Sequence, residues 1–161
     1  MNKKILVAFV GLFVGANLLF GADGARYFSL DKAFETQAFQ SRLDASVEYE
    51  FGSGSSANII KSDFTTKQKA KFDDIWTTNA NVPKWQKKWF NDIEPTEEMV
   101  CQEALLKALL RFEKRAKKMG ASKVVNIISY YYQTKFDDKD KFMCWMIDEV
   151  ATVSLQGDVA H

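Results

Sequence analysis

Cys101 and Cys144 are the two cysteines of this 161-residue chain, and they are the side chains best equipped for chemistry. A thiol near a helix N-terminus can become a low-pKa nucleophile, and two thiols can form a disulfide or share a metal. Redox enzymes favour a close pair such as C-x-x-C, and none occurs here. His161 is the sole histidine, so the set falls short of the four ligands of a structural zinc site. It also leaves no Ser–His–Asp candidate. A bond between Cys101 and Cys144 would close about 44 residues and, by chain-entropy arithmetic, add roughly 4 kcal/mol. In a reducing compartment the same pair would be buried free thiols.

The carboxylates form short clusters: Asp73-Asp74, Asp92 with Glu94, Glu97-Glu98, and Asp137, Asp138 and Asp140. Each falls in an expected loop or helix start, where solvation or capping accounts for it. The last cluster lacks the glycine and terminal glutamate of an EF-hand loop. Glu48 and Glu50 would share one face of a strand about 7 Å apart, a spacing open to paired-carboxylate hydrolysis or to plain solvent exposure. No catalytic residue, metal ligand set or cofactor is expected. Whether the protein is an enzyme stays open, leaning to no.

Aromatic and basic residues offer a binding surface instead. Trp85, Trp89, Lys87 and Lys88 lie in the piece KWQKKWF. They are read either as core-packed tryptophans or as an interface, where tryptophan is enriched. Tyr130 and Tyr132, in one aromatic set with Tyr131 and Trp145, are either packed or ligand-binding. Lys107, Arg111, Lys114, Arg115, Lys117 and Lys118 crowd one helix and could hold an anion or remain a solvated face. Removing Lys3 and Lys4 with a leader leaves the rest almost neutral, which does not advertise nucleic acid binding.

Lys3-Lys4, the apolar run Ile5 to Phe20 and the mainly small residues Gly21 to Ala25 have the layout of a secretory signal peptide. The run is shorter than the ~20 residues of a membrane-spanning helix. The expected organisation is a signal peptide over residues 1–22, cut between Gly21 and Gly24, and a single periplasmic domain over 23–161. No stable membrane span is expected after the leader is removed. Export makes a Cys101–Cys144 disulfide the expected state.

These residues must be positioned by a modest set of elements. Phe28 to Leu43 has helical apolar spacing, with Ser29 as a cap. Ser46 to Phe51 alternates as a half-buried strand. Gly52 to Ser56 is a turn, so Asn58 to Thr65 would return as the second arm of a hairpin. Lys67 to Glu94 is read as a Trp-rich helical element. Thr96, Glu97 and Glu98 cap a long helix that carries one apolar stripe from Val100 to Met119 and stops at Gly120. Val124 to Gln133 reads as a strand. Phe142 to Leu155 reads as one long return strand, with Met143, Trp145, Ile147, Ala151, Val153 and Leu155 on one face and Cys144 with Met146 on the other.

The stretch from Cys101 to Gln133 resembles small secreted bacterial proteins that carry the label "excinuclease ATPase subunit". The shared residues are Cys101, Ala116-Lys117, Gly120-Ala121, Val124-Val125-Asn126-Ile127, Ser129-Tyr130-Tyr131, Cys144 and Leu155-Gln156-Gly157. SRLDASVEYEFG is also similar. The chain lacks the G-x-x-x-x-G-K-[ST] loop that an ATPase needs, so the label does not transfer. More distantly, the pattern is similar to the YbjQ-like fold and to the stress-sensor lipoprotein of the Rcs phosphorelay. Those imply an α+β domain with a structural disulfide between the helix start and the last strands. The lipid-attachment cysteine and second cysteine pair of the sensor are not matched.

The expectation is therefore an α+β fold: a small β-sheet with a long helix packed on it in a strand–helix–strand–strand core, an N-terminal short helix and a Trp-rich helical insertion. The expected function is an exported, non-enzymatic envelope protein, a disulfide-stapled binding or accessory module. Its partner would be an envelope protein or a small ligand. The alternatives are a small-ligand-binding or stress-sensing periplasmic domain and a small hydrolase.

Overall fold

A computed structural model describes residues 23–77 and 95–161. In chain order the elements are β1 (Gly24–Ser29), α1 (Leu30–Phe34), α2 (Gln37–Arg42), β2 (Glu48–Phe51), β3 (Ile59–Lys71) and α3 (Phe72–Thr77). The long helix α4 (Glu97–Lys118) follows, then β4 (Lys123–Tyr131), β5 (Thr134–Phe136), β6 (Lys141–Ile147) and β7 (Val150–Ala160). Seven strands form one curled, mostly antiparallel sheet, and α4 lies along β3 and β7. The fold is α+β with a long helix packed on a sheet, as the sequence implies.

Local chemistry accounts for α4. The Thr96 hydroxyl accepts from the Met99 amide at 3.2 Å, and Glu97 and Glu98 sit in the first turn, where the helix dipole favours them. At the other end Gly120 takes φ +67°. The Ala121 amide then reaches the Ala116 carbonyl at 2.9 Å and the Gly120 amide reaches Lys117 at 3.1 Å, which is a Schellman cap. Between these ends Val100, Ala104, Leu105, Ala108, Leu109, Phe112 and Ala116 are buried. They pack with Val124, Ile127, Val153, Leu155 and Val159 of the sheet.

β7 is the centre of the sheet. β3 runs antiparallel along one of its edges, from Ile59 opposite Ala160 to Lys71 opposite Val150. β4 and β6 share the other edge. An irregularity in β4 around Asn126, at φ +52°, lets Val124 and Ile127 both join the helix-side core, which strict alternation would forbid. Gly157 faces the helix: a Cβ there would sit 3.3 Å from Ile127 Cγ1 and 3.5 Å from Phe112 Cζ. A glycine at this point lets α4 lie close over β7.

Four expectations are corrected. Ser46 to Phe51 and Asn58 to Thr65 do not form a hairpin: β2 pairs parallel with β4, Tyr49 opposite Val124, and β3 pairs with β7. Burying Val47 and Phe51 against the core, which β7 and β4 build from the far end of the chain, outweighs the short turn. Phe28 to Leu43 is not one helix. Phe28 belongs to β1, antiparallel to β6, and the helix breaks at Thr36, whose hydroxyl faces the Phe39 amide at 3.5 Å and starts a new one. Lys67 to Lys71 continues β3 and does not enter a helical insertion.

Phe142 to Leu155 is two strands. Asp148 and Glu149, both at positive φ, make a two-residue turn with Ile147 opposite Val150. The turn puts Met146 beside Ala151 and Trp145 beside Thr152. Cys144 and Met146 therefore share the helix-side core with Ala151 and Val153, while Trp145 lies on the opposite face. The piece KWQKKWF lies outside the described residues.

Candidate functional site

The cysteines meet. Cys101, in the second turn of α4, and Cys144, in mid-β6, are both fully buried and bonded, with Cα atoms 5.8 Å apart across 43 positions of sequence. Met146 Sδ lies 3.6 Å from Cys101 Sγ, and Met146 pairs across the hairpin with Ala151. The bond fixes the start of the helix to the inner face of the sheet. It leaves no free thiol among the described residues, so no thiolate chemistry resides there.

Two buried acids that sequence reasoning passed over hold the N-terminal segment. Glu113 accepts from the Asp44 amide at 2.8 Å, the Tyr49 hydroxyl at 3.1 Å and Lys117 Nζ at 2.9 Å. Burial pushes its carboxyl up, but those donors outweigh it and hold it below the ordinary value. The same arrangement raises the Tyr49 phenol, first through burial and then through the nearby Glu113 charge. Glu103 takes both oxygens to Arg42 Nη1, at 3.1 and 2.9 Å, yet burial wins and raises its carboxyl. Both glutamates have a lysine at i+4 in the sequence; Glu113 pairs with its Lys117, whereas Lys107 pairs with Asp74 and leaves Glu103 to Arg42.

Glu48 and Glu50 do not act as a pair. Glu48 meets Lys123 at 3.1 Å, Glu50 accepts from Ser55 Oγ at 2.9 Å, and both face solvent. Asp137 accepts from the Ser53 amide and hydroxyl, and Asp138 caps the amides of Asp140 and Lys141. Among the described residues no group of three or more such side chains is placed to hold a metal.

The tyrosines line neither of the two recesses described below. Tyr131 is buried, stacked on Trp145 with centroids 4.8 Å apart, edge-on to Tyr132 at 4.6 Å, and capped by Lys67 Nζ at 5.0 Å. Tyr130 is half-buried, and Tyr132 is 81% exposed at φ +52°. Trp85, Lys87, Lys88 and Trp89 lie outside the described residues.

What the structure does assemble is a groove of about 500 Å³ between β3 and the last turns of α4. β3 contributes Phe64, Thr66 and Gln68. The helix contributes Arg111, Lys114, Arg115 and Lys118, with Phe112 at the base. The Arg115 guanidinium lies 4.4 Å over the Phe64 ring. Lys107 and Lys117 spend their charge on Asp74, Asp44 and Glu113. Among the described residues no carboxylate pairs with Arg111, Lys114, Arg115 or Lys118. The sequence showed the cations but not the aromatic wall from β3 that turns a charged face into a recess.

A second recess, of about 290 Å³, opens where Asp63, Asn126 and Asp158 meet. Asn126 donates to Asp158 at 2.8 Å and accepts from the Ser55 amide at 2.8 Å, while Asp158 accepts from the Asp63 amide at 2.9 Å. These bonds stabilise the irregularity at Asn126.

No family model, curated protein or solved structure matches the chain. Among the described residues no helix is long and apolar enough to cross a membrane.

Proposed function

We propose that the protein is exported and serves outside the cytoplasm as a non-enzymatic, disulfide-stapled binding or accessory module. The observation that carries the proposal is the buried Cys101–Cys144 bond, which suits an oxidising compartment and consumes both thiols. The leader-like N-terminus supports it, with Lys3 and Lys4 ahead of an apolar run. The groove on α4, with its uncommitted cations, supports the binding half. Membership of the small secreted bacterial proteins that the Cys101–Gln133 stretch resembles is part of the same proposal, as is the more distant YbjQ-like relationship.

Fractionation of cells that express the full chain tests it. The expected result is a shortened chain in the extracytoplasmic fraction, carrying a non-covalently bound molecule in native mass spectra or a cross-linked envelope partner. A full-length chain confined to the cytoplasm would overturn export. An extracytoplasmic chain with neither ligand nor partner would overturn the binding role.

A further inference from the structure

The geometry points to the groove between β3 and α4 as a site for a small anion that carries two or more phosphate groups. The proposal rests on the binding-module role and names the ligand class for it. Arg111 and Arg115 stand one turn apart, as do Lys114 and Lys118, and all four are exposed around a recess of about 500 Å³. That volume is in the range of small-ligand sites, roughly 300–1,000 Å³.

Two simpler uses of these cations do not apply here. Cations at a helix C-terminus often bond its last carbonyls, but here the Gly120 and Ala121 amides cap Lys117 and Ala116. None of the four cations makes a hydrogen bond or ion pair among the described residues. Cations on a helix also pair with acids three or four positions away, and around these four those positions hold no acid. The charge is therefore left for something outside the chain. Meanwhile Phe64 holds the Arg115 guanidinium from the side of its face, which limits the positions its fork can take.

Phosphate fits this set better than a single carboxylate. A phosphate monoester carries about −1.5 to −2 charges at neutral pH and offers three strong acceptors, against two arginine forks of five N–H donors each. Arg111 to Lys118 spans about 10 Å along the helix by its rise per residue. That length accommodates two or three linked phosphates and is short for a nucleic acid strand. The same clustered phosphates occur free in solution or at an anionic membrane surface, and the assay separates the two.

Titration of the purified, oxidised protein with tripolyphosphate, beside co-sedimentation with phosphatidylglycerol vesicles, tests the site. The variants are Arg111→Gln/Arg115→Gln and Lys114→Gln/Lys118→Gln. The control is Lys32→Gln/Lys135→Gln, which removes equal charge elsewhere; circular dichroism confirms that each variant is folded. Each groove variant is expected to weaken binding by about tenfold or more, with the control within about twofold. Binding to vesicles alone, lost in the groove variants, would assign the phosphates to a membrane surface. Equal losses in groove and control variants, or no binding to either probe, would overturn the site. The assay uses purified protein, so its failure leaves export and the disulfide standing, and failure of export leaves the groove standing.

Discussion

The Tyr49 hydroxyl donates to the Glu113 carboxylate at 3.1 Å, tying β2 to the C-terminal third of α4. The same carboxylate accepts from the Asp44 amide, so one buried acid closes the connection between α2 and β2. Replacing Glu113 with Ala leaves that amide and hydroxyl unsatisfied. The expected cost is about 2–3 kcal/mol, read from the urea midpoint, with Tyr49→Phe costing less because it leaves the amide bond intact.

The acids set opposite pH trends. The carboxyls of Glu113, Asp74 and Asp137 are held below their ordinary values by donors. Each contributes stability that is present above the ordinary carboxylate range and lost as the pH falls through its folded pKa. Glu103 runs the other way: burial raises its carboxyl, so ionising it costs stability as the pH rises from 4.5 through its folded pKa. Urea denaturation across the acid range is expected to show Glu113→Gln flattening the loss at low pH and Glu103→Gln steepening it. A Glu113→Gln profile parallel to wild type would contradict the assignment.

Close packing under α4 gives a steric prediction. At Gly157 an added Cβ would meet Ile127 Cγ1 at 3.3 Å, the Val125 carbonyl at 3.4 Å and Phe112 Cζ at 3.5 Å. Gly157→Val is expected to destabilise by about 2 kcal/mol or more, through overpacking between helix and sheet. Phe112→Leu in the same chain should recover part of that loss by making room, measured as a double-mutant cycle.

Gly120 poses a different constraint, since nothing crowds it but its φ is +67°. Gly120→Ala is expected to cost about 1 kcal/mol from the left-handed backbone alone, and Gly120→Asn less. Thermal melts of both variants check the order.

What the sequence revealed follows from the range of the interactions. The helix α4 was legible because Thr96, Glu97, Gly120 and the apolar stripe all act within one or two turns. The disulfide was legible because two cysteines allow a single pairing. The β6–β7 turn was not, because Asp148-Glu149 adopts positive φ without the glycine or asparagine that marks such turns. Missing it reversed the face of Trp145. The parallel pairing of β2 with β4 was hidden because β2 meets its partner some 75 residues along the chain, beyond any local pattern. For the groove, the cations were plain in the helix sequence, but Phe64 reaches Arg115 only through the register of β3 on β7.

Cys101→Ala/Cys144→Ala removes the tie between the start of α4 and β6. It is expected to lose about 4 kcal/mol, and to lower Tm by on the order of 10–20 °C. Wild type treated with a strong reductant should fall toward the same value.

The most direct measurement is the intact mass of protein isolated from its own compartment, denatured with a thiol-alkylating reagent and no reductant. The account predicts a chain that has lost its leader, cut between Gly21 and Gly24, and carries no label on Cys101 or Cys144. A chain that keeps its leader, or one labelled at both cysteines, would contradict it.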